Sequence, residues 1–150
     1  MKNYIFGFIA LIIVFLLGYH FWTAVNLDNI QSVQIAGKTI QVDLAVTPAE
    51  QEQGLSSRQG LAENMGMLFV FGSSDKYQFW MKDMNFPIDM IWIREDMKVV
   101  YIKKNALPAL YPETYGPGTN DADAKYVLEV VSGFSDKNNL QVGDAVLFTY

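Results

Sequence analysis

A long apolar run at the N-terminus divides the chain into two parts of different character. Tyr4 to Trp22 contains no charged residue, and its length is close to the roughly 20 residues that a helix needs to cross the hydrocarbon layer of a membrane. Lys2 precedes the run and Asp28 follows it, which predicts a cytoplasmic N-terminus by the positive-inside bias. We therefore expect residues 1–24 to be a single-pass membrane anchor, with the remaining chain in the periplasm or at the cell surface.

A cleaved signal peptide is the alternative interpretation of this run. Such a peptide ends at a small-x-small site, for which the candidate here is Trp22-Thr23-Ala24. Tryptophan fits the first small position badly, and the apolar run is longer than the core of a usual signal peptide, so both observations favour a retained anchor. His20, the only histidine of the chain, then lies at the membrane exit as an interfacial polar side chain.

The composition excludes several classes of function. The 150 residues are 51% hydrophobic and 18% charged, which is typical of one folded domain. With no cysteine and a single histidine, the folded part can assemble no disulfide, no thiol nucleophile, no histidine-cysteine metal cluster and no Ser-His-Asp triad. The formal net charge is -5 and no basic run is longer than Lys103-Lys104, which argues against nucleic-acid binding.

Periodicity predicts the start of the folded part. Residues 25–31 are expected to form a linker, and residues 32–150 one compact domain. The alternation of apolar residues on both sides of Gly37, through Val46, predicts a hairpin with a polar outer face. The Thr47-Pro48-Ala49-Glu50 segment has the spacing of a capping box, which predicts a short helix that Gly54 ends.

Two more hairpins are expected in the middle of the chain. Met67 to Phe71 and Tyr77 to Met81 are apolar runs separated by turn residues, which predicts that they pair. Asp89 to Ile93 and Val99 to Lys103 are joined by a short charged segment and predict another hairpin. Leu107 to Asp123, rich in proline and glycine, is long for a loop in a compact domain, a feature typical of functional loops.

The C-terminal part predicts a buried strand at Tyr126 to Val131, a short helix within Ser132 to Leu140, and a last strand at Val146 to Thr149 after a turn at Gly143. Together, seven or eight strands with two small helices predict an α+β, β-rich domain: a small curled antiparallel sheet or barrel-like fold preceded by the transmembrane helix.

The most unusual stretch is Phe79 to Met90, where a lysine and two acids lie among aromatic residues and methionines. A charge that is buried among apolar side chains without a partner costs several kcal/mol. Lys82 is therefore expected to pair with an acid or to lie at a wet cleft, with Asp89 and Glu129 as the natural partners. Such a cluster is either a structural ion pair or part of a ligand cleft.

Several short motifs in unbroken order resemble the family known as domain of unknown function 192. They are GMLFVF at Gly66 to Phe71, FWMK at Phe79 to Lys82, Pro-x-Asp at Pro87 to Asp89, YVLEV at Tyr126 to Val130 and VGD at Val142 to Asp144, preceded by TPAE at Thr47 to Glu50. Members of this family are typically small exported or membrane-anchored prokaryotic proteins without an assigned activity. The resemblance, which spans about Val33 to Phe148, thus implies a fold and a compartment but no reaction.

The resemblance also implies a set of typical residues. By matching positions, these are Glu50, Gly54, Arg58, Gly66, Met67, Phe79, Trp80, Met81, Lys82, Pro87, Asp89, Glu129, Gly133, Gly143 and Asp144. The glycines and Pro87 suit turns, and Glu50 suits a helix cap.

The hypothesis we favour is a noncatalytic binding or accessory module. Its cleft would be aromatic and polar, and its partner a membrane or envelope protein, a glycan or a small molecule. The residues Tyr111 to Tyr115 would form a lid over the cleft. The candidate cleft residues are Arg58, Phe79, Trp80, Met81, Lys82, Asp89, Tyr111, Tyr115 and Glu129. No cofactor is expected.

Two alternatives stay open. Asp89 and Glu129 could form the carboxylate pair of a glycoside hydrolase acting on envelope glycans, with Lys82 tuning one of them. The methionines could instead bind Cu(I), since thioethers are ligands that this ion prefers, although methionine is also common core filler. That site would comprise Met65, Met67, Met81 and Met84.

Overall fold

The computed structural model describes residues 29–150. In this part of the chain, nine strands alternate with two short α-helices and one 3-10 helix. The strands are β1 (Ser32–Ile35), β2 (Lys38–Ala45), β3 (Met65–Asp75), β4 (Phe79–Trp80), β5 (Ile88–Ile93), β6 (Val99–Ala106), β7 (Thr114–Tyr115), β8 (Ala124–Val131) and β9 (Val146–Thr149). The helices are α1 (Pro48–Gln53) and α2 (Phe134–Lys137), and the 3-10 helix is Pro108–Leu110.

Seven strands form one curled sheet in the order β6-β5-β8-β3-β2-β1-β9. Neighbours are antiparallel except β2 and β3, which run parallel. The two edge strands approach each other at one end, where Lys98 bridges to Ala145 and the Val99 amide donates to the Asp144 carbonyl over 3.0 Å. The sheet is therefore a half-barrel, and the prediction of a curled β-rich domain with two short helices is confirmed.

The predicted first hairpin is confirmed, and its turn has a clear cause. Ile35 pairs with Lys38, so that Ala36 and Gly37 are the two turn residues, with φ of 49° and 71°. Positive φ at both central positions is the geometry whose twist matches that of the flanking strands. Glycine adopts it without strain, whereas Ala36 adopts it against its own preference.

The predicted capping box is present in α1. The Thr47 hydroxyl accepts from the Glu50 amide over 3.3 Å, and Glu50 Oε2 accepts from the Thr47 amide over 2.8 Å. These bonds satisfy amides that the first helical turn leaves free, and they lower the pKa of the Glu50 carboxyl. Gly54 ends the helix with φ of +49°, as expected.

The β5–β6 hairpin, β8, α2 and β9 are also confirmed, but the middle hairpin is wrong. The Met67 to Phe71 run belongs to β3, which continues through the expected turn to Asp75. Its neighbours are β2 and β8. The Tyr77 to Met81 run contains β4, which pairs instead with β7 in a separate two-stranded sheet, Phe79 opposite Tyr115. Turn residues between two apolar runs do not determine whether the second run pairs with the first in a hairpin or with a strand elsewhere in the chain.

The two faces of the large sheet carry separate cores. The first core spans the strands from β1 and β9 across to β5, and includes Ile35, Leu68, Ile91 and Phe148. The second core lies on the other face, over β3, β5 and β8, where the segments outside the sheet contribute Leu55, Met81 and Tyr115. The candidate site lies on the second face.

The start of the chain bears on two further predictions. Within residues 29–150, no helix is long and apolar enough to cross a membrane; the expected span Tyr4 to Trp22 lies outside the described residues. Of the expected linker 25–31, Ile30 is only 3% exposed in the first core and the Gln31 amide donates to the Thr149 carbonyl over 2.8 Å. The folded domain thus includes residues before Ser32.

Candidate functional site

Glu129 lies at the centre of a row of side chains that crosses the sheet. Along the strand pairings, Met67 of β3 and Met90 of β5 lie directly opposite Glu129 of β8. Asp43 of β2 and Lys103 of β6 continue the row at its two ends. Residues directly opposite each other point to the same face, so Glu129 points into the second core between two thioether side chains.

The carboxyl group of Glu129 is buried without a complete set of partners. The residue is 4% exposed, and no group within residues 29–150 donates a hydrogen bond to its Oε2. Burial raises its pKa to about 8, while the nearby Arg58 guanidinium acts in the opposite direction. At neutral pH the carboxyl is therefore mostly protonated, and it can donate a hydrogen bond as well as accept one.

A cavity of about 130 Å³ opens above this carboxyl. It lies between α1, the loop that follows α1, the middle of β3 and the region of β4. Its lining is aromatic on one side and amide-rich on the other. The lining residues are Gln51, Glu52, Gln53, Gly54, Leu55, Ser56, Phe69, Phe71, Tyr77, Gln78, Phe79, Trp80, Met84 and Glu129.

The aromatic wall is held by ring contacts and one hydrogen bond. Tyr77 stacks on Phe71 with ring centroids 3.5 Å apart, and Phe79 meets Phe69 edge-to-face at 4.8 Å. The buried Trp92 indole donates to the Tyr77 carbonyl over 2.9 Å, which fixes the segment before β4. Trp80, in contrast, is 46% exposed at the rim, where an aromatic ring is available for stacking.

Hydrogen bonds tie the two loops at the rim together. The Ser56 hydroxyl donates to the Lys82 carbonyl over 2.9 Å, and the Asn85 amide donates to the Arg58 carbonyl over 2.9 Å. At Gly54, a Cβ atom would lie 3.3 Å from the Phe69 ring. The glycine thus allows the end of α1 to approach the aromatic wall.

Another glycine allows β3 and β8 to lie close together. At Gly66 in β3, a Cβ atom would lie 2.8 Å from the Glu129 carbonyl oxygen. A side chain there would push β3 away from β8. Gly66 is thus a position where only glycine fits beside the buried acid.

Arg58 is near Glu129 but pairs elsewhere. Its guanidinium binds the Asp43 carboxylate with an N–O distance of 2.8 Å. Both side chains are more than a third exposed, so this pair contributes little to stability. Its effect at the site is electrostatic: a positive charge near the buried carboxyl.

The structure separates the predicted trio of Lys82, Asp89 and Glu129. Lys82 is exposed and forms no ion pair within residues 29–150. Asp89 precedes Met90 in β5, and successive residues of a strand point to opposite faces. Asp89 and Glu129 therefore lie on opposite faces of the sheet, and the structure brings together neither an ion pair nor the carboxylate pair of a glycoside hydrolase.

Asp89 instead organises the backbone. Its carboxylate accepts from the amides of Asn105 at 2.9 Å, Gly133 at 3.2 Å and Ser135 at 2.8 Å. These bonds join β5 to the end of β6 and to the turn that opens α2. The residue is completely buried and is not among the residues that line the cavity.

The methionines of the predicted copper site belong mainly to the second core. Met67 and Met81 are buried there and Met84 packs against them, as expected for core filler. Met84 also lines the cavity. Met65, half-buried at the start of β3, is outside both cores. No group of three or more His, Cys, Asp or Glu side chains within residues 29–150 is arranged to hold a metal ion.

The long loop, Leu107 to Asp123, does not line the cavity but packs against the segment that does. Tyr115 is buried, its hydroxyl donates to Glu113 over 3.0 Å, and the Lys103 ammonium lies 4.2 Å from the centre of its ring. Burial raises the pKa of the Tyr115 hydroxyl. Tyr111 is 48% exposed and is not among the lining residues. Through its pairing with β4, β7 instead fixes the position of Phe79 and Trp80.

Sequence reasoning placed Phe79, Trp80 and Glu129 in the site but missed the rest of the wall. Phe69 and Phe71 looked like one more strand, and Tyr77 looked like half of a hairpin. These rings lie under α1 because β2 and β3 run parallel, and α1 lies in the connection between them. The available signal was Gly54 after the capping box, which the family resemblance already singled out.

Comparison with known proteins agrees with this fold. The profile of the DUF192 family, described as Uncharacterized ACR, matches residues 31–148. A crystal structure from Sinorhizobium meliloti, provisionally described as a transcription regulator, is 32% identical over 78% of this chain and 92% of that chain, with a TM-score of 0.70. A protein of unknown function from Novosphingobium aromaticivorans is 30% identical over 79% of this chain and 84% of that chain, with a TM-score of 0.72.

No curated protein matches the chain. The family profile covers all of the large sheet from β1 to β9 except its last residue, together with the cavity and Glu129. The expected resemblance is confirmed, and the chain belongs to the DUF192 family.

Proposed function

We propose that this protein is a noncatalytic binding or accessory module, anchored to the membrane by residues 1–24, whose ligand occupies the aromatic cavity above Glu129. The observation that carries the proposal is the combination of an aromatic wall with a buried carboxyl oxygen that has no donor within the described residues. Buried polar atoms are nearly always hydrogen-bonded. A ligand that enters the cavity would supply the missing partner.

The lining supports binding more than catalysis. Glu129 is the only buried acid among the lining residues, and the second buried acid of the described chain, Asp89, is occupied by backbone amides on the other face. General acid-base chemistry of the glycosidase type needs two carboxyl groups across one bond. A single buried acid beside an aromatic wall, with Glu52 exposed at the rim, suits recognition.

The proposal does not include nucleic-acid binding, although one similar structure is provisionally described as a transcription regulator. The formal net charge of this chain is -5, and proteins that bind DNA carry a basic patch that neutralises phosphates. The partner we propose is a small molecule, or a chemical group displayed by a component of the cell envelope.

The test is to isolate the full-length protein from its native membrane with a C-terminal tag and to identify bound molecules by mass spectrometry. Trp80→Ala should lose the bound species, because Trp80 is 46% exposed at the rim of the cavity. Tyr150→Ala is the matched control, since Tyr150 is 54% exposed but lies outside the cavity. Equal retention by both variants, or an empty wild-type protein, would contradict the proposal.

A further inference from the structure

We propose that the ligand of the cavity is a small organic cation, with an ammonium or trimethylammonium group that lies against the aromatic wall and faces the carboxyl group of Glu129. This inference rests on the proposed function, because it assigns a chemical class to the ligand of the same cavity.

The charges of the lining favour a cation. Among the lining residues, the carboxyl groups are those of Glu52 and Glu129, and no lysine, arginine or histidine is present. Glu52 is exposed on α1 at the rim, whereas Glu129 is buried at the floor. A ligand that moves inward would pass from one acid to the other, and a positive charge would be complementary to both.

The aromatic wall favours the same ligand. A cation is attracted to the face of an aromatic ring, most strongly to tryptophan, and cages of aromatic residues are a general way to recognise alkylated ammonium groups. Phe71, Tyr77, Phe79 and Trp80 supply such rings on one side of the cavity. A neutral apolar ligand would use these rings equally well but would bring no positive charge to the carboxyl groups of Glu52 and Glu129.

The size of the cavity sets the size of the group. Its volume is about 130 Å³, slightly less than that of an engineered cavity of about 150 Å³ that binds benzene. A trimethylammonium head group is of this size. A divalent metal ion fits less well, because it needs several oxygen ligands at once, and the carboxyl group of Glu52 lies at the exposed rim.

Binding of a cation would be linked to release of a proton. Glu129 has a pKa of about 8 in the free protein, and a cation prefers the ionised carboxylate, so affinity should rise with pH, by at most about tenfold per pH unit, up to about pH 8. The other charged groups that face this part of the protein are Arg58, whose charge opposes the rise in pKa, and Glu52 at the rim. Asp43 and Lys103 end the row that contains Glu129.

The experiment compares choline with its neutral isostere, in which a carbon atom replaces the quaternary nitrogen. Binding to the full-length protein in a nonionic detergent is measured by isothermal titration calorimetry. We expect choline to bind at least about tenfold more tightly than the isostere, the selectivity that corresponds to about 1.4 kcal/mol. Glu129→Gln should remove this preference, whereas Glu63→Gln, which changes an exposed acid paired with Lys137, should keep it.

Each result has a defined meaning. Equal or tighter binding of the isostere to the wild-type protein would overturn the cation inference while leaving a binding cavity in place. Absence of binding by both compounds would also overturn it. The proposed function would then be tested only by the identification of bound molecules by mass spectrometry. Trp80→Ala guards against misfolding of the Glu129 variant, because loss of the exposed ring should weaken choline binding while the thermal transition stays unchanged.

Discussion

At the scale of single residues, Glu129 is the most consequential position of the described chain. It is an acid on a strand whose buried apolar residues pack into two cores, and each of its opposite neighbours is a methionine. An apolar residue there would make the fold more stable, since burying a carboxyl costs desolvation free energy that its neighbours do not offset in full. A buried, incompletely paired acid that lines a cavity is a candidate for a functional residue.

The cost of Glu129 should be visible in the pH dependence of stability. Because its pKa is raised from 4.5 to about 8, the folded protein binds more protons than the unfolded chain between these values, and the free energy of unfolding falls as pH rises through this window. Glu129→Gln removes the effect. The variant should therefore gain stability over wild type by up to about 1.4 kcal/mol per pH unit above pH 4.5, with no further gain above about pH 8.

Urea unfolding at a series of pH values measures this difference. Glu63→Gln is the control, because its carboxyl is exposed, and the Lys137 ammonium lowers rather than raises its pKa. Parallel stability profiles for wild type and Glu129→Gln would show that the carboxyl is not desolvated as the structure indicates.

At the scale of elements, the sequence predicted most strands and missed one connection. The first hairpin, the capped helix and β9 follow from local rules, because a two-residue turn, a capping box and a glycine turn each act within a few residues. The path of β3 depends on distant partners. It lies parallel to β2 with α1 in the connection, and no residue within β3 encodes that choice.

The same reasoning explains the outcome for the candidate site. Trp80 and Glu129 stood out because one is an aromatic next to a charge and the other is an acid in a buried strand. Asp89 also stood out as an acid in an otherwise apolar strand, yet the strand register places it on the face of the sheet opposite to Glu129. A shift of one residue along a strand reverses the face, so burial alone could not separate a cavity acid from a structural one.

The structural role of Asp89 leads to a prediction about the β5–α2 connection. Asp89→Asn should lower the free energy of unfolding by about 2 kcal/mol, because one carboxylate oxygen that accepts backbone hydrogen bonds becomes an amide donor. The molecules bound in the cavity should be retained below the melting temperature. The control is Asp136→Asn in α2, an exposed acid that pairs with Lys104, which should change stability by less than about 0.5 kcal/mol.

Thermal unfolding and mass spectrometry of the purified variants distinguish the two roles. If Asp89→Asn lost the ligand while its thermal transition matched wild type, Asp89 would act at the site, and the separation of the two faces would not describe how this protein binds.

At the scale of the whole molecule, the two faces of the sheet carry different features. The first core contains the residues nearest to the start of the described chain, such as Ile30 and Val33. The cavity opens on the opposite face, over β3 and β8. The part of the fold that contains the first described residues is thus separate from the part that would receive a ligand.

Membrane anchoring is the prediction that belongs to this scale. We expect the full-length protein to stay with the membrane fraction after extraction at high salt and to keep residues 1–24, as measured by intact mass. Val14→Arg places a charge near the middle of the apolar run, at a cost of about 2.5 to 3.5 kcal/mol for insertion, and should shift the protein toward the soluble fraction. Val14→Leu preserves the apolar run and should behave as wild type. A mature mass that lacks the apolar run would show that the segment is a cleaved signal peptide, and equal membrane retention of both variants would show that another part of the protein holds it there.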